Sequence, residues 1–142
     1  MSQQLIFVNL PVQDLPRAKE FFAELGYSFN PQFTDENAAC LVISDSIYFM
    51  LLTEPFFKTF TKREIPDPAT HVGNINCLSA ESREAVDAIV DRAIAAGAKE
   101  HGQPEEMGDF MYGRNFTDLD GHLWSYMWMD VEAAAAAGGP AA

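Results

Sequence analysis

The sequence has few basic residues and no long hydrophobic run. Lys and Arg number 9 against 21 Asp and Glu, so the formal net charge is −12 at pH 7, and such a charge repels nucleic-acid phosphates and anionic lipids. No apolar stretch approaches the roughly 18 to 20 residues that cross a bilayer. The first residues, Met1 to Gln4, have no basic region ahead of a signal-like core. We therefore expect a cytoplasmic protein that has neither nucleic acid nor membrane as a partner.

The sequence also lacks the motifs of nucleotide binding and of covalent catalysis by serine or cysteine. The chain has 2 cysteines, Cys40 and Cys77, in apolar segments without the spacing of a zinc site, and we interpret both as buried thiols in a reducing compartment. The glycines form no phosphate-binding loop, and no serine stands in the pattern G-x-S-x-G. Nucleotide binding and covalent catalysis by serine or cysteine therefore lack support.

The composition fits one globular domain. The chain has 142 residues, 48% of them hydrophobic and 11 of them Phe, which is enough for one buried core. We expect the domain over residues 1–131, followed by a low-complexity tail of Ala, Gly and Pro over 132–142. Prolines in the segment 54–71 predict a linker between two units, at about 4–53 and 72–130.

The first half reads as a strand, a helix and three further strands. From Ile6 to Val12 aliphatic residues alternate with a second set that includes Phe7, as on a strand with one buried face. Asp14 is a candidate N-cap for a helix over Leu15–Leu25, which Gly26 ends. Strand-like runs follow around 28–33, 39–44 and 47–52.

The second half repeats this order. A strand is predicted over Gly73–Leu78, and Ser79 or Ser82 can cap a helix over Arg83–Ala96 that Gly97 ends. Further strands are predicted near 99–102, at 111–117 and at 123–129. The repeat indicates an α+β fold of two tandem βαβββ units.

Two motifs resemble those of a known superfamily. V-Q-D-L-P-R-A-K-E-F-F-A-E-L-G-Y, from Val12, and T-D-L-D-G-H-L-W, from Thr117, resemble the opening motif and closing turn of the vicinal oxygen chelate superfamily. That superfamily includes glyoxalase I, extradiol dioxygenases and bleomycin-resistance proteins, and this chain is similar to its predicted lactoylglutathione-lyase-like branch. The resemblance covers about residues 4–130. It implies a curved mixed sheet around a central cavity, and a homodimer.

The superfamily's enzymes hold a divalent metal with His and Glu side chains from the first and last strand of each unit. At the matching positions this chain has Phe7, Met50, Asn74 and Ser125, with Tyr48 or Leu52 as alternatives to Met50 and Gly73 or Ile75 as alternatives to Asn74. None of these side chains is a strong ligand for a divalent ion. The resemblance therefore implies a cavity lined by these residues and without a metal or other cofactor.

A displaced metal site is the alternative. Three other possible ligands lie near the same strands: His71, Glu54 and His122. His71 and Glu54 could lie at a rim of the cavity, but two ligands do not make the closed coordination shell of a catalytic metal. This alternative therefore needs further ligands that the strands do not supply.

The strand at 111–117 adds a possible anchor for a ligand. Alternate residues share one face: Tyr112, Arg114 and Phe116. If that face lies inward beside Ser125, the cavity offers a guanidinium, a phenol and aromatic walls to a small anionic or flat aromatic ligand. The alternative is that Arg114 pairs with Asp118 or Asp120 in the following turn. Trp124 and Trp128 are interpreted as helix–sheet core.

The linker contains an aromatic cluster. The segment E-P-F-F-K-T-F places Phe56, Phe57 and Phe60 at a spacing that allows one helical turn with an aromatic face. Such a face can fill a gap in the core, cover the cavity as a lid, or form a subunit contact.

Three functions remain open from the sequence. The first is a protein that binds a small organic molecule in its cavity without metal. A second is a metal-dependent lyase or dioxygenase of glyoxalase type with a displaced site. The third is a structural or regulatory dimer whose cavity is filled by side chains. The fold alone does not identify a substrate.

Overall fold

The computed structural model describes residues 3–136, apart from the side chain of Ala134, and the chain divides into two compact units, Met1–Asp67 and Pro68–Ala142. Residues 137–142 of the expected tail lie outside the described residues, and the preceding part of that tail forms a short helix, α4 (Val131–Ala136). None of the described helices is both long and apolar enough to span a bilayer.

Unit 1 is a four-stranded mixed sheet with one long helix. Its elements are β1 (Ile6–Val12), α1 (Leu15–Glu24), β2 (Ser28–Asn30), β3 (Ala38–Val42), β4 (Ile47–Thr53) and α2 (Glu54–Phe57). The strand order is β1-β4-β3-β2, with β1 parallel to β4 and the other pairs antiparallel. Asp14 caps α1 as predicted, because its carboxylate accepts a hydrogen bond from the backbone N–H of Arg17 at 3.1 Å.

The core of unit 1 lies between α1 and one face of this sheet. Phe21 and Phe22 of α1 pack edge to face, with ring centroids 4.9 Å apart. The buried residues of this layer are Leu10, Val12, Leu15, Ala18, Phe21, Phe22, Ala39, Leu41, Phe49 and Leu51. Each fully buried large side chain contributes about 1.5–3 kcal/mol through the hydrophobic effect, so this layer fixes which face of β1 and β4 points away from the helix.

Unit 2 repeats the plan with one additional strand. Its elements are β5 (Ile75–Ser79), α3 (Arg83–Ala95), β6 (Lys99–Glu100), β7 (Glu105–Met107), β8 (Met111–Thr117), β9 (Leu123–Met129) and α4. The order is β5-β9-β8-β6, with β7 paired to the other end of β8, and β5 runs parallel to β9. Ser82 caps α3, where its hydroxyl accepts from the N–H of Ala85 at 3.0 Å.

The predicted fold class is confirmed: the chain is α+β with two mixed sheets. Three details differ from the sequence-based expectation. Strand β7 replaces part of an expected loop, and β2 is short because Pro31–Phe33 form a turn of 3-10 helix. Cys77 is exposed, not buried, because it lies on the face of β5 that points away from α3; Cys40 is buried as expected.

The core of unit 2 lies between α3 and the aromatic face of β8 and β9. Trp124, Phe116 and Tyr126 are buried, and the Phe116 and Tyr126 rings stack with centroids 6.0 Å apart. They pack with Val86, Val90 and Ala93 of α3. The prediction that Trp124 belongs to the helix–sheet core is therefore confirmed.

The turn between β8 and β9 is organised by one buried carboxylate. Asp118 accepts hydrogen bonds from the N–H groups of Asp120 and His122 on one oxygen and from Trp124 Nε1 on the other, at 2.9, 3.0 and 2.9 Å. Gly121 completes the turn with a φ of 89°, a conformation that L-residues other than glycine rarely adopt.

Replacing Gly121 with alanine should lower the free energy of unfolding by about 2 kcal/mol. A Cβ at this position would meet Pro68 Cβ at 2.8 Å, in addition to the strain of the positive φ. Denaturant titration measures the loss. Gly102→Ala is the matched control, because its φ is also positive, at 70°, but no atom lies within 4 Å of the added Cβ. A loss no greater for Gly121→Ala than for Gly102→Ala would contradict a role for the Pro68 contact.

Candidate small-molecule site

Phe7 and Met50 lie on the face of the unit 1 sheet opposite α1. They are the unit 1 residues at the positions of the superfamily's metal ligands. In the parallel register of β1 and β4, Phe7 lies beside Tyr48 and Asn9 beside Met50. Phe7 and Met50 therefore share the face that points away from the helix, as the strand alternation predicts. Phe7 stacks on Tyr48 with ring centroids 4.9 Å apart and an interplanar angle of 13°. This end of the face is aromatic and apolar.

The aromatic segment after β4 folds back over the same face. Helix α2 starts at Glu54, directly after β4, and the turn continues through hydrogen bonds from Lys58 N to Glu54 O and from Phe60 N to Phe57 O. Phe56 packs edge to face on Phe60, with ring centroids 5.3 Å apart. The predicted helical turn with an aromatic face is thus present, and it covers part of the sheet.

A pocket of about 340 Å³ lies between this segment and the sheet. Its lining residues are Asn9, Leu52, Phe57, Phe60 and Thr61. All five belong to unit 1. A volume of this size is at the lower end of the range of small-molecule sites, which are typically apolar with a few placed polar groups.

Two polar side chains line the pocket, Asn9 and Thr61, and each uses only part of its hydrogen-bonding capacity. Asn9 Nδ2 donates to the Phe7 carbonyl at 3.2 Å, which leaves Asn9 Oδ1 as an acceptor. Thr61 Oγ1 accepts from the N–H of Arg63 at 3.1 Å, which leaves the Thr61 hydroxyl proton to donate. The site can therefore both accept and donate hydrogen bonds.

The sequence interpretation includes three of the five lining residues. Phe57 and Phe60 belong to its aromatic cluster, and Leu52 is its alternative to Met50, whereas Asn9 and Thr61 are absent from it. Asn9 shares the alternation of Phe7, and Leu52 that of Met50, so the strand pattern contained the signal for both. Thr61 lies beyond α2, and no periodicity points to it.

In unit 2, Ser125 lies on the face opposite α3. The register pairs Ser125 with Cys77 on β5 and with Asn115 on β8. No carboxylate or imidazole belongs to this group. Ser125 therefore lies beside a weak oxygen donor, Asn115, and an exposed thiol, Cys77.

The expected inward position of Asn74 is not observed. Strand β5 begins one residue later, at Ile75, and Asn74 is exposed, with its Nδ2 donating to Asn76 Oδ1 at 2.7 Å. Asn76 is buried on the other face of β5, opposite Trp124. Ile75 and Cys77, not Asn74, share the face of Ser125.

The expected orientation of Tyr112, Arg114 and Phe116 is also corrected. Phe116 pairs with Trp124, and Arg114 with Tyr126, so these side chains lie on the α3 face, opposite to Ser125. Arg114 does not pair with Asp118 or Asp120 either. Its guanidinium binds Glu100 through two nitrogens and Asp87 and Asp91 through a third.

Tyr112 and Arg114, the two candidate anchors for a ligand, bind the carboxylates of Asp87, Asp91 and Glu100 instead. Tyr112 donates to Asp87 at 2.6 Å, and that hydrogen bond raises the pKa of Tyr112 to about 12. Hydrogen bonds to Glu100 raise the pKa of Arg114, so its charge is permanent. Because all of these groups bind one another, Arg114 and Tyr112 serve to join α3 to β8, and we do not assign them to a ligand.

The residues do not fit the divalent metal that the fold implies. Phe7, Met50 and Ser125 supply no imidazole or carboxylate at the strand positions, and a phenyl ring and a thioether cannot replace a hard ion's water ligands. Within residues 3–136, no group of three or more His, Cys, Asp or Glu side chains is arranged to hold a metal ion. His122 lies in the turn closed by Asp118, and the His71 ring bonds to Thr70 at 2.8 Å.

Comparison with known families supports the sequence resemblance. Residues 4–44 match the family model described as bleomycin resistance protein-like N-terminal. No curated protein sequence matches the chain.

Several solved structures have the same fold. A hypothetical protein from S. aureus is 28% identical, with a TM-score of 0.74, over 90% of this chain and 95% of its own. A glyoxalase/bleomycin resistance protein/dioxygenase family enzyme from Burkholderia phytofirmans is 18% identical, with a TM-score of 0.75, over 88% and 98%. A fosfomycin resistance protein from Listeria monocytogenes, in complex with Mn(II) and sulfate, is 16% identical, with a TM-score of 0.70, over 97% and 99%.

Proposed function

We propose that this chain binds a small organic molecule without a metal ion. The chain has the fold of the vicinal oxygen chelate superfamily and a bleomycin-resistance-like sequence pattern. The observation that carries the proposal is the pocket of about 340 Å³ between the sheet of unit 1 and the segment that contains Phe57 and Phe60.

The composition of the pocket supports binding. Leu52, Phe57 and Phe60 offer apolar surface, and burying such surface drives association at roughly 25 cal/mol per Å² before the entropic costs are subtracted. Asn9 and Thr61 offer two hydrogen-bonding atoms that can fix the orientation of a ligand. An open volume of this size also argues against a structural protein in which side chains have filled the site of unit 1.

The chemistry of the side chains argues against metal-dependent turnover. Glyoxalase-type and extradiol chemistry needs a Lewis acid that two neighbouring substrate oxygens can chelate. The strand positions that would hold it carry Phe7, Met50 and Ser125. The Mn(II) complex of the fosfomycin resistance protein concerns a protein only 16% identical, so its metal is not transferred to this chain.

Thermal denaturation in the presence of a small-molecule library tests the proposal. We expect at least one compound to stabilise the protein equally with and without EDTA, by about 2.7 kcal/mol at a concentration one hundred times its Kd. Adding Zn²⁺, Ni²⁺, Mn²⁺ or Fe²⁺ should produce neither lactoylglutathione lyase nor extradiol dioxygenase activity.

Two threonine variants locate the binding. Thr61→Trp should fill the pocket and abolish the stabilisation, because Thr61 lines it. Thr59→Trp is the matched control: Thr59 lies in the same segment and also makes one local hydrogen bond, to Phe56 O, but is exposed. The proposal fails if no compound stabilises the protein, if EDTA removes the effect, or if both variants behave alike.

A further inference from the structure

We infer that the unit 1 pocket selects an uncharged, planar aromatic molecule that carries both a hydrogen-bond donor and an acceptor. This inference rests on the proposed function and narrows it to one chemical class. Three properties of the pocket support it: its walls, its lack of charge and its two free polar positions.

The walls of the pocket are mainly apolar, and two of the five lining residues are Phe. Phe57 and Phe60 line it from the α2 side, and Leu52 from the sheet. Phe60 is 70% exposed although it lines the pocket, so a planar ligand that stacked on it would remove a large apolar surface from water. Phe56, edge to face with Phe60, supports that ring from the other side of the turn. Aromatic pairs gain about 0.5–1.5 kcal/mol beyond burial, which favours a flat aromatic ring over an aliphatic one.

The pocket contains no charged side chain. The five lining residues are an amide, a hydroxyl, one Leu and two Phe. A charged group on the ligand would gain no counter-ion from these five side chains, and the apolar ones would take part of its hydration. Lys58 and Lys62 belong to the same segment but are exposed and do not belong to the lining. The ligand is therefore uncharged.

The two polar side chains define the ligand's own polar groups. Asn9 Nδ2 is fixed by the Phe7 carbonyl, which sets the orientation of the amide, and no residue that the structure describes bonds to Asn9 Oδ1. Asn9 is exposed, so that oxygen can accept a hydrogen bond from the ligand in place of water. The Thr61 oxygen accepts one hydrogen bond, from Arg63 N–H, and its hydroxyl proton can be donated to an acceptor on the ligand in place of water. An aromatic carboxamide, or a lactam fused to an aromatic ring, supplies both groups without charge.

A matched set of bicyclic probes tests the inference on the full chain. Isothermal titration calorimetry compares 2-naphthamide with the anion 2-naphthoate, with the cation 2-naphthylmethylammonium, and with the saturated decalin-2-carboxamide. We expect 2-naphthamide to bind about tenfold or more tightly than each of the other three. Replacing Asn9 with Asp should reverse the order of amide and ammonium, because a carboxylate then faces the ligand.

Side-chain variants separate the contributions of ring and hydroxyl. Phe60→Ala should weaken 2-naphthamide about fivefold or more, whereas Phe33→Ala should not change its Kd, since Phe33 is another exposed Phe of unit 1 that does not line the pocket. Thr61→Val should weaken binding about three- to tenfold, and Thr61→Ser should retain it.

The outcomes distinguish the ligand class from the binding function. If 2-naphthoate or 2-naphthylmethylammonium binds as tightly as 2-naphthamide, or if none of the four probes binds, the inferred class is overturned. The proposed function still stands in either case when a library compound of another class binds and Thr61→Trp abolishes that binding. A blank result in both the probe set and the library overturns both.

Discussion

Replacing Asp118 with alanine should lower the free energy of unfolding by about 3 kcal/mol, because the substitution leaves three buried or half-buried N–H groups without an acceptor. One carboxylate oxygen accepts from the backbone of Asp120 and His122, and the other accepts from Trp124 Nε1. Trp124 is fully buried, so its indole N–H cannot turn to water instead. The loss should appear as a lower denaturant midpoint and as a red shift of tryptophan fluorescence.

The asparagine variant separates shape from hydrogen bonding. Asp118→Asn can keep the acceptor for the two backbone N–H groups, but its Nδ2 then faces Trp124 Nε1, and two donors meet. Asp118→Asn should lower the free energy of unfolding by about 2 kcal/mol, which is less than the decrease expected for Asp118→Ala. Burial raises the pKa of Asp118 above its ordinary value, while the charge of His122 and the Trp124 hydrogen bond act against that shift. Asp118 therefore stabilises the turn through directed hydrogen bonds, and not because its charge is favoured by burial.

An exposed aspartate of the same unit provides the control. Asp109 lies in the turn before β8 and is exposed, so Asp109→Ala should change the free energy of unfolding by less than about 0.5 kcal/mol. If Asp118→Ala were no more destabilising than Asp109→Ala, the carboxylate would not organise the turn.

Local sequence signals predicted most of the elements correctly. The bounds of β8 and β9 agree with the sequence-based ranges, because a polar turn interrupts two runs rich in strand-forming residues. The N-caps at Asp14 and Ser82 were readable because an acceptor side chain directly precedes each helix. β7 was missed because Glu105 to Met107 show no apolar alternation; pairing with β8 alone makes this segment a strand.

The orientation of β8 shows where strand periodicity stops being informative. Alternation predicts that Tyr112, Arg114 and Phe116 share a face, but not which face it is. The register across the turn decides this: Thr117 pairs with Leu123, so Phe116 falls opposite Trp124. Because Trp124 belongs to the helix–sheet core, this register also places Arg114 beside α3. The pocket of unit 1 was harder to predict, because it depends on how the segment after α2 folds back onto Asn9 and Leu52.

Replacing Arg114 with methionine should also lower the free energy of unfolding, by about 2 kcal/mol at low ionic strength, because the three carboxylates that lose their partner are partly exposed to solvent. The Arg114 side chain is 11% exposed and forms ion pairs with three carboxylates: Asp87, Asp91 and Glu100. Methionine has a similar length but no charge, so the three anions would be left close together on α3 and β6. This repulsion adds to that of a chain with a net charge of −12.

A lysine at position 114 tests the geometry of the pairing. Arg114 contacts Glu100 through Nε and Nη2, at 2.9 and 3.0 Å, and lysine cannot reproduce this two-point contact. Arg114→Lys keeps the charge and should therefore lower the free energy of unfolding by only about 1 kcal/mol. Arg92→Met is the control for net charge, because Arg92 is exposed in the last turn of α3 and its loss changes the total charge equally. Arg92→Met should lose less than about 0.5 kcal/mol.

The effect of Arg114→Met should depend on pH and salt in a defined direction. The hydrogen bond from Tyr112, followed by that from Arg114, lowers the pKa of Asp87, and the hydrogen bond from Arg114 lowers the pKa of Glu100. A carboxyl whose pKa is lowered by folding stabilises the native state above its unfolded pKa, about 3.9 for Asp and 4.3 for Glu, and this stability is lost as the pH falls further. The difference between wild type and Arg114→Met should thus be largest near neutral pH, shrink below about pH 4, and fall with added salt. A difference that stays constant from pH 7 to pH 3 would contradict the stabilisation by the three ion pairs, because methionine already replaces the aliphatic stem of Arg114.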